Sequence, residues 1–159
     1  MPLDDLYQEL ILDHYRAPRH KGPCPGCGRE VKQDNPLCGD VITLRLEVQD
    51  KTIARIAHEG QGCSISQASA SMMAEAVLGQ PVAQALELGQ SVRALMRGES
   101  PSAEQEQALG DLMALQGVAS FPVRVKCALL PWTALQEALA GAAPQPPVQE
   151  ESPRGDKGA

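Results

Sequence analysis

From Ile42 to Val48 the chain alternates: Ile42, Leu44, Leu46 and Val48 are apolar, whereas Thr43, Arg45 and Glu47 between them are polar. Side chains of a strand project to opposite faces with a period of two, so this segment buries one face and wets the other. A second β-rich run, Thr52 to His58, follows the short Asp50-Lys51 link and reads as the partner of a hairpin. Arg29 to Gln33 adds a third strand ahead of the Asn35-Pro36 turn.

Helical spacing surrounds these strands. Leu3, Leu6, Tyr7, Leu10, Ile11 and His14 recur three and four residues apart, the pattern of an amphipathic helix that stops before Pro18. Ala17 to Gly28 is crowded with Pro and Gly and reads as a loop. After Gly60 and Gly62 comes SISQASASMMAEAVLG, a helix of small residues with Ile65, Ala68, Met72 and Ala76 on one face. Further helices are expected over Val82 to Met96 and Ala103 to Leu115, parted by Gly98 to Pro101. A last one should fill much of Val123 to Ala140. Pro131 cannot donate to the carbonyl of Cys127, so that helix either begins late or bends there. With one Trp, one Phe and two Tyr, the core must come from Leu, Val, Ile, Ala and Met. The expected architecture is α+β, a small antiparallel three-stranded sheet packed against about five helices. It occupies a domain over 1–141, and 142–159 reads as a disordered tail without apolar periodicity.

The formal net charge of −6 and a pI near 5.0 argue against nucleic acid, whose phosphates need a concentrated basic surface. The acidic start, MPLDDLYQEL, lacks the basic and apolar stretches of a signal peptide, and no run of about 18 apolar residues offers a membrane span. A soluble, cytoplasmic protein is expected. In that compartment five cysteines, an odd number, argue against a disulfide framework and for metal or thiol chemistry.

Cys38-Gly39-Asp40 sets a thiol and a carboxylate around a glycine hinge, two ligand types that tetrahedral zinc accepts together. The alternative is a turn in which Asp40 accepts from backbone amides. Cys63 precedes a helix, whose free amides and dipole favour a thiolate. The plain alternative for Cys63, and for Cys127 beside Arg124 and Lys126, is a small buried apolar residue. Cys24-Pro-Gly-Cys27 can offer two thiolates to one metal, but no second CxxC completes a four-cysteine site. It reads either as a redox-active or surface pair or as a partial metal site shared with another chain. His14, His20 and His58 have plain places on a helix face, in a polar loop and at a strand end.

The motifs LYQELILDHYRAPRHKG, NPLCGD, GQGCSISQASASMM, LGDLMALQGV and FPVRVKCALLPW, in that order, resemble the SufU-type branch of the IscU/NifU-like iron–sulfur cluster assembly proteins. The resemblance covers nearly everything before the tail. It implies a SufE/IscU-like fold and a metal site made by Cys38, Asp40, Cys63 and Cys127. The IscU-like scaffolds carry a His just before the last Cys, where this chain has Lys126, and GESPSAEQEQALGDLMAL also resembles the SufU branch. The implied function is a zinc-dependent acceptor of persulfide sulfur from a SufS-type cysteine desulfurase, with Cys38 as acceptor. Arg124 would stabilise the reacting sulfur or pair with Asp40. The alternatives are a scaffold on which a transiently bound iron–sulfur cluster is built and passed to recipient proteins, and a zinc-stabilised interaction module. As a sulfur acceptor the chain would act like a sulfurtransferase; as a scaffold it would not be an enzyme.

Overall fold

The alternating segment is the centre of an antiparallel sheet. In the computed structural model, which describes residues 3–140, β1 (Arg29–Asn35), β2 (Asp40–Gln49) and β3 (Thr52–Gln61) lie in the order β1-β2-β3. Val31 sits opposite Leu44, and Leu44 opposite His58. The inward residues Ile42, Leu44 and Leu46 are completely buried. All three strands run beyond the stretch of clear alternation. At the Cys38 end β1 reaches Asn35, and β3 continues to Gln61 because Glu59, Gly60 and Gln61 still find partners in Thr43, Ile42 and Val41. Gly60 permits the close approach there, since a Cβ would fall 1.9 Å from the carbonyl oxygen of Val41.

The helices follow their spacing. They are α1 (Leu3–Arg16), α2 (Ser64–Val77), α3 (Val82–Met96), α4 (Ala103–Leu109) and α5 (Pro122–Leu139). Helix α2 is buried along nearly its whole length, with Ala68, Ala70 and Ala74 among residues small enough to let α1 and α5 pack closely. Helix α5 lies across β1 and β2, and the core between the layers is built on Leu44, Leu46, Met73, Val77, Leu95, Leu115, Trp132, Leu135 and Leu139. Burying each large aliphatic side chain there contributes about 1.5–3 kcal/mol.

Two expectations change. The helix expected over Ala103 to Leu115 ends at Leu109, because Gly110 takes φ 52, and the chain continues as a 3₁₀ helix over Gly110–Ser120. Leu112, Met113, Ala114 and Leu115 are all buried in succession, which no single face of an α-helix provides. Helix α5 does not begin late: Pro122 occupies its first turn, where a missing N–H costs nothing, and the helix runs through Pro131. Ser69 Oγ of α2 donates to the Ala128 carbonyl at 2.6 Å, one residue along from the Cys127 carbonyl that Pro131 leaves without its helical donor. The tail expected after Gly141 lies outside the described residues. Among the described residues no helix is long and apolar enough to cross a membrane.

Candidate functional site

The Asn35–Asp40 turn joins β1 to β2 and carries Cys38. Asn35 organises it: its carbonyl accepts from the amides of Cys38 at 3.1 Å and Gly39 at 2.8 Å, and its Oδ1 accepts from the Leu37 amide at 3.2 Å. Its Nδ2 donates to Cys38 Sγ at 3.5 Å. Gly39, at φ 73, turns the chain so that Cys38 and Asp40 face the same side. Cys38 is half-buried and Asp40 completely buried.

A buried carboxylate is costly unless its oxygens are partnered. Asp40 Oδ1 accepts from the Cys63 amide at 2.8 Å, and its Oδ2 lies 3.7 Å from Cys63 Sγ. Asp40 therefore accepts from a backbone amide outside its own turn and also lies beside the Cys63 thiol. Cys63 is the N-cap of α2, and its sulfur accepts from the Ser66 amide at 3.5 Å. Gly62, at φ 154, makes the approach possible, since a Cβ there would lie 2.2 Å from Asp40 Oδ1. From α5, Cys127 brings its sulfur to 3.5 Å from that of Cys38, although 89 residues separate them in sequence.

The donor atoms of Cys38, Asp40 and Cys127 all lie within 4.8 Å of one another. Tetrahedral zinc, with bonds of about 2.3 Å to sulfur and 2.1 Å to oxygen, places neighbouring ligand atoms roughly 3.6–3.8 Å apart. The Cys38–Cys127 and Cys63–Asp40 separations of 3.5 and 3.7 Å are close to those edges; Cys38, Asp40 and Cys127 fit such an ion, while Cys63 lies beside Asp40 but outside that close group. Burial, followed by the nearby Asp40 carboxylate and the other two sulfurs, pushes the Cys127 thiol far above the ordinary thiol range. Two sulfurs and a carboxylate held this close, with a third sulfur beside the carboxylate, suit a cation that would offset their charge.

Arg124 lies one helical turn before Cys127 and is exposed. The nearby sulfur of Cys63, then that of Cys127, holds its guanidinium above its ordinary pKa. Sequence reasoning missed Asn35 and Ser66. Both had a signal: an Asn heading an Asn-Pro turn, and a Ser in the third position after a helix cap. No histidine joins the group. His14 Nδ1 meets Ser71 Oγ at 2.8 Å, and His58 Nε2 donates to the Arg19 carbonyl at 2.9 Å. The expectation of unpaired cysteines fails at Cys24 and Cys27, which a disulfide joins in the loop before β1.

Residues 6–128, spanning all four donor residues, match the NifU-like N terminal domain. The chain belongs to the NifU-like family. Within it, the chain is 42% identical over 138 residues to the zinc-dependent sulfurtransferase SufU of Bacillus subtilis, covering 87% of this chain and 92% of that protein. It is also 42% identical over 137 residues to the iron–sulfur cluster assembly scaffold protein IscU of Streptococcus pyogenes, covering 86% and 84%. The solved SufU structure from Fervidobacterium islandicum superposes with a TM-score of 0.78 at 33% identity, covering 87% of this chain and 99% of that one. The SufU- and IscU-like resemblance of the motifs and the α+β fold are both borne out by this membership and its structural neighbours.

Proposed function

We propose that this NifU-like protein serves iron–sulfur cluster assembly in the cytoplasm as a zinc-dependent acceptor of persulfide sulfur from a SufS-type cysteine desulfurase. The observation that supports this reading is that Cys38, Asp40 and Cys127 bring their donor atoms within 4.8 Å of one another from a turn, a strand and a helix body, with Cys63, at the cap of α2, 3.7 Å from Asp40. Bound zinc would keep the thiolates ionised at neutral pH. The relative named a zinc-dependent sulfurtransferase supports this choice of metal and chemistry.

Cys38 is the acceptor in this reading. It is half-buried in a turn, whereas Cys127 is fully enclosed and Cys63 is engaged in capping α2. Its thiolate attacks the outer sulfur of the donor's persulfide; a new S–S bond forms on Cys38, the donor's S–S bond breaks, and the donor cysteine leaves as a thiolate. Asn35 Nδ2 steadies the Cys38 sulfur, and Arg124 supplies positive charge beside the neighbouring sulfurs. Leu37, Phe121 and Val123 are 81%, 62% and 69% exposed and flank the thiols in sequence, an apolar rim suited to a protein partner rather than to a small thiol.

The scaffold reading keeps the same four residues and draws on the equally similar relative named as a scaffold. The two separate on metal and acid-labile sulfide in chain purified without oxygen, compared with Cys38→Ser. Stoichiometric zinc without sulfide, and a one-sulfur mass gain on Cys38 after incubation with a desulfurase and cysteine, are expected. Iron and sulfide in equal amounts, lost in Cys38→Ser, would establish the scaffold instead.

A further inference from the structure

The Cys24-Pro25-Gly26-Cys27 turn plays no part in the site above. Its half-buried cysteines are joined as a disulfide with their Cα atoms 5.6 Å apart. With a sequence separation of only 3, the bond closes too short a loop to restrain the unfolded chain strongly. The loop is also held without it. The Cys27 amide donates to the Cys24 carbonyl at 3.1 Å, and Arg55 Nη1 donates to the Pro25 carbonyl at 2.7 Å. Upstream, the Gly22 amide donates to the His58 carbonyl and the His58 amide to the His20 carbonyl, pinning the strap to β3. The two sulfurs therefore remain neighbours whether bonded or not, as a reversible pair requires. Arg55, braced by Glu47 at 2.6 Å, also packs against Gly26 and so helps hold the turn in place.

The pair is remote from the other thiols. Arg55 lies in the first half of β3, whereas Cys63 follows the strand's end at Gln61. At about 3.3 Å per residue, Arg55 to Gln61 spans roughly 20 Å, so Cys24 and Cys27 cannot exchange with Cys38 of their own chain. Their reaction partner is another molecule.

We propose that Cys24 and Cys27 form a reversible dithiol–disulfide couple that, when reduced, takes the outer sulfur of a persulfide on another molecule and releases it as sulfide. Persulfide as the substrate class rests on the function proposed above; the reversible couple does not. A persulfide's outer sulfur is at the zero oxidation level and needs two electrons to become sulfide, which is what one dithiol yields on closing. One thiolate attacks the outer sulfur of R–S–SH, making a new S–S bond as the old one breaks and R–S⁻ leaves. The second thiolate then attacks the first cysteine's sulfur, forming the disulfide and expelling HS⁻. The two thiol protons pass to R–S⁻ and HS⁻, giving R–SH and hydrogen sulfide. A dithiol reductant reopens the pair by exchange and is itself left as a disulfide.

The test uses the full chain, reduced with dithiothreitol, freed of it without oxygen, and mixed in one arm with cysteine persulfide. The other arm supplies a Cys24→Ser/Cys27→Ser chain carrying persulfide on Cys38. Sulfide is measured, and the Gly22–Arg29 tryptic peptide is weighed for dithiol or disulfide. The expected result is stoichiometric sulfide with matching disulfide in at least one arm, the arm naming the source, and loss of that sulfide when Cys24→Ser/Cys27→Ser replaces the reduced chain. A peptide that stays dithiol in both arms, or equal sulfide from the double variant, overturns the proposal. Desulfurase-driven loading of Cys38 is followed separately in the double variant, where it should be unchanged. Failure of that loading, with sulfide still released from cysteine persulfide, would count against the acceptor reading alone.

Discussion

At one end of the β2–β3 hairpin, Asp50 and Lys51 turn the chain at φ 52 and 61, and the surrounding backbone finds ordinary partners: Val82 donates to the Lys51 carbonyl and Ile53 to that of Gln80. At the other end, Asp40 is buried against the Cys63 amide, and Gly60 and Gly62 strip away side chains so that strands and carboxylate can close up. The first end is a two-residue turn whose demand is local, a left-handed backbone at Asp50 and Lys51. The second gathers three thiols and a carboxylate whose mutual burial works against stability, an arrangement that structure alone does not require. Perturbation should therefore be costly at the thiol end and mild at the turn.

The largest effect is expected from Gly62→Ala. Its Cβ would fall 2.2 Å from Asp40 Oδ1 and 2.8 Å from Ser66 Oγ, so the carboxylate must move and the Cys63 amide loses its acceptor. A loss of about 2–3 kcal/mol is expected, read by urea unfolding, with a matching fall in bound metal. Full metal content in that variant would break the contrast between the two ends.

Acid sensitivity should belong to neither end. Burial lowers the pKa of His14 and, in mid-strand, of His58. Folded chain thus resists protons that unfolded chain accepts near pH 6.5, so the stability from neutral histidines is whole above that pH and is lost as pH falls below it toward the lowered folded values. Metal-free protein should lose stability across that fall. Thermal melts against pH should flatten in His58→Gln, and an unaltered slope would assign the sensitivity elsewhere.

The smallest effect should come from Lys51→Gly, which relieves a left-handed backbone at φ 61. A gain of about 0.5–1 kcal/mol is expected, with metal content unchanged. A change in bound metal would mean that the two ends communicate.

Most of the architecture was legible because it rests on local periodicity. Ile42 to Val48 announced a half-buried strand, and Val82–Met96 formed as its spacing implied. Gly110 was harder to weigh, since a glycine in an apolar run ends a helix only when its backbone turns, as here at φ 52, and what turns it is the burial of Leu112 to Leu115 in succession beyond it. At the site, each donor's neighbourhood was readable: a glycine between Cys38 and Asp40, a helix start after Cys63. Their meeting was not, because it depends on α5 lying across the sheet and bringing Cys127 to Cys38. Motif resemblance supplied what spacing could not. The compartment argument spoke against a bond between Cys24 and Cys27, whereas the reading of their CxxC turn as a redox-active pair left it open.

The Ser69 bond to the Ala128 carbonyl has a bearing on how the centre is filled. It ties together α2, which begins after Cys63, and α5, which carries Cys127, against a core built of aliphatic side chains, methionines and Trp132. The spacing of those two sulfurs is thus inherited from apolar packing. In a zinc finger the ion writes the fold, whereas a core of this kind stands without one, so under the function proposed above stripping and restoring the metal should be an act of reloading and not of refolding.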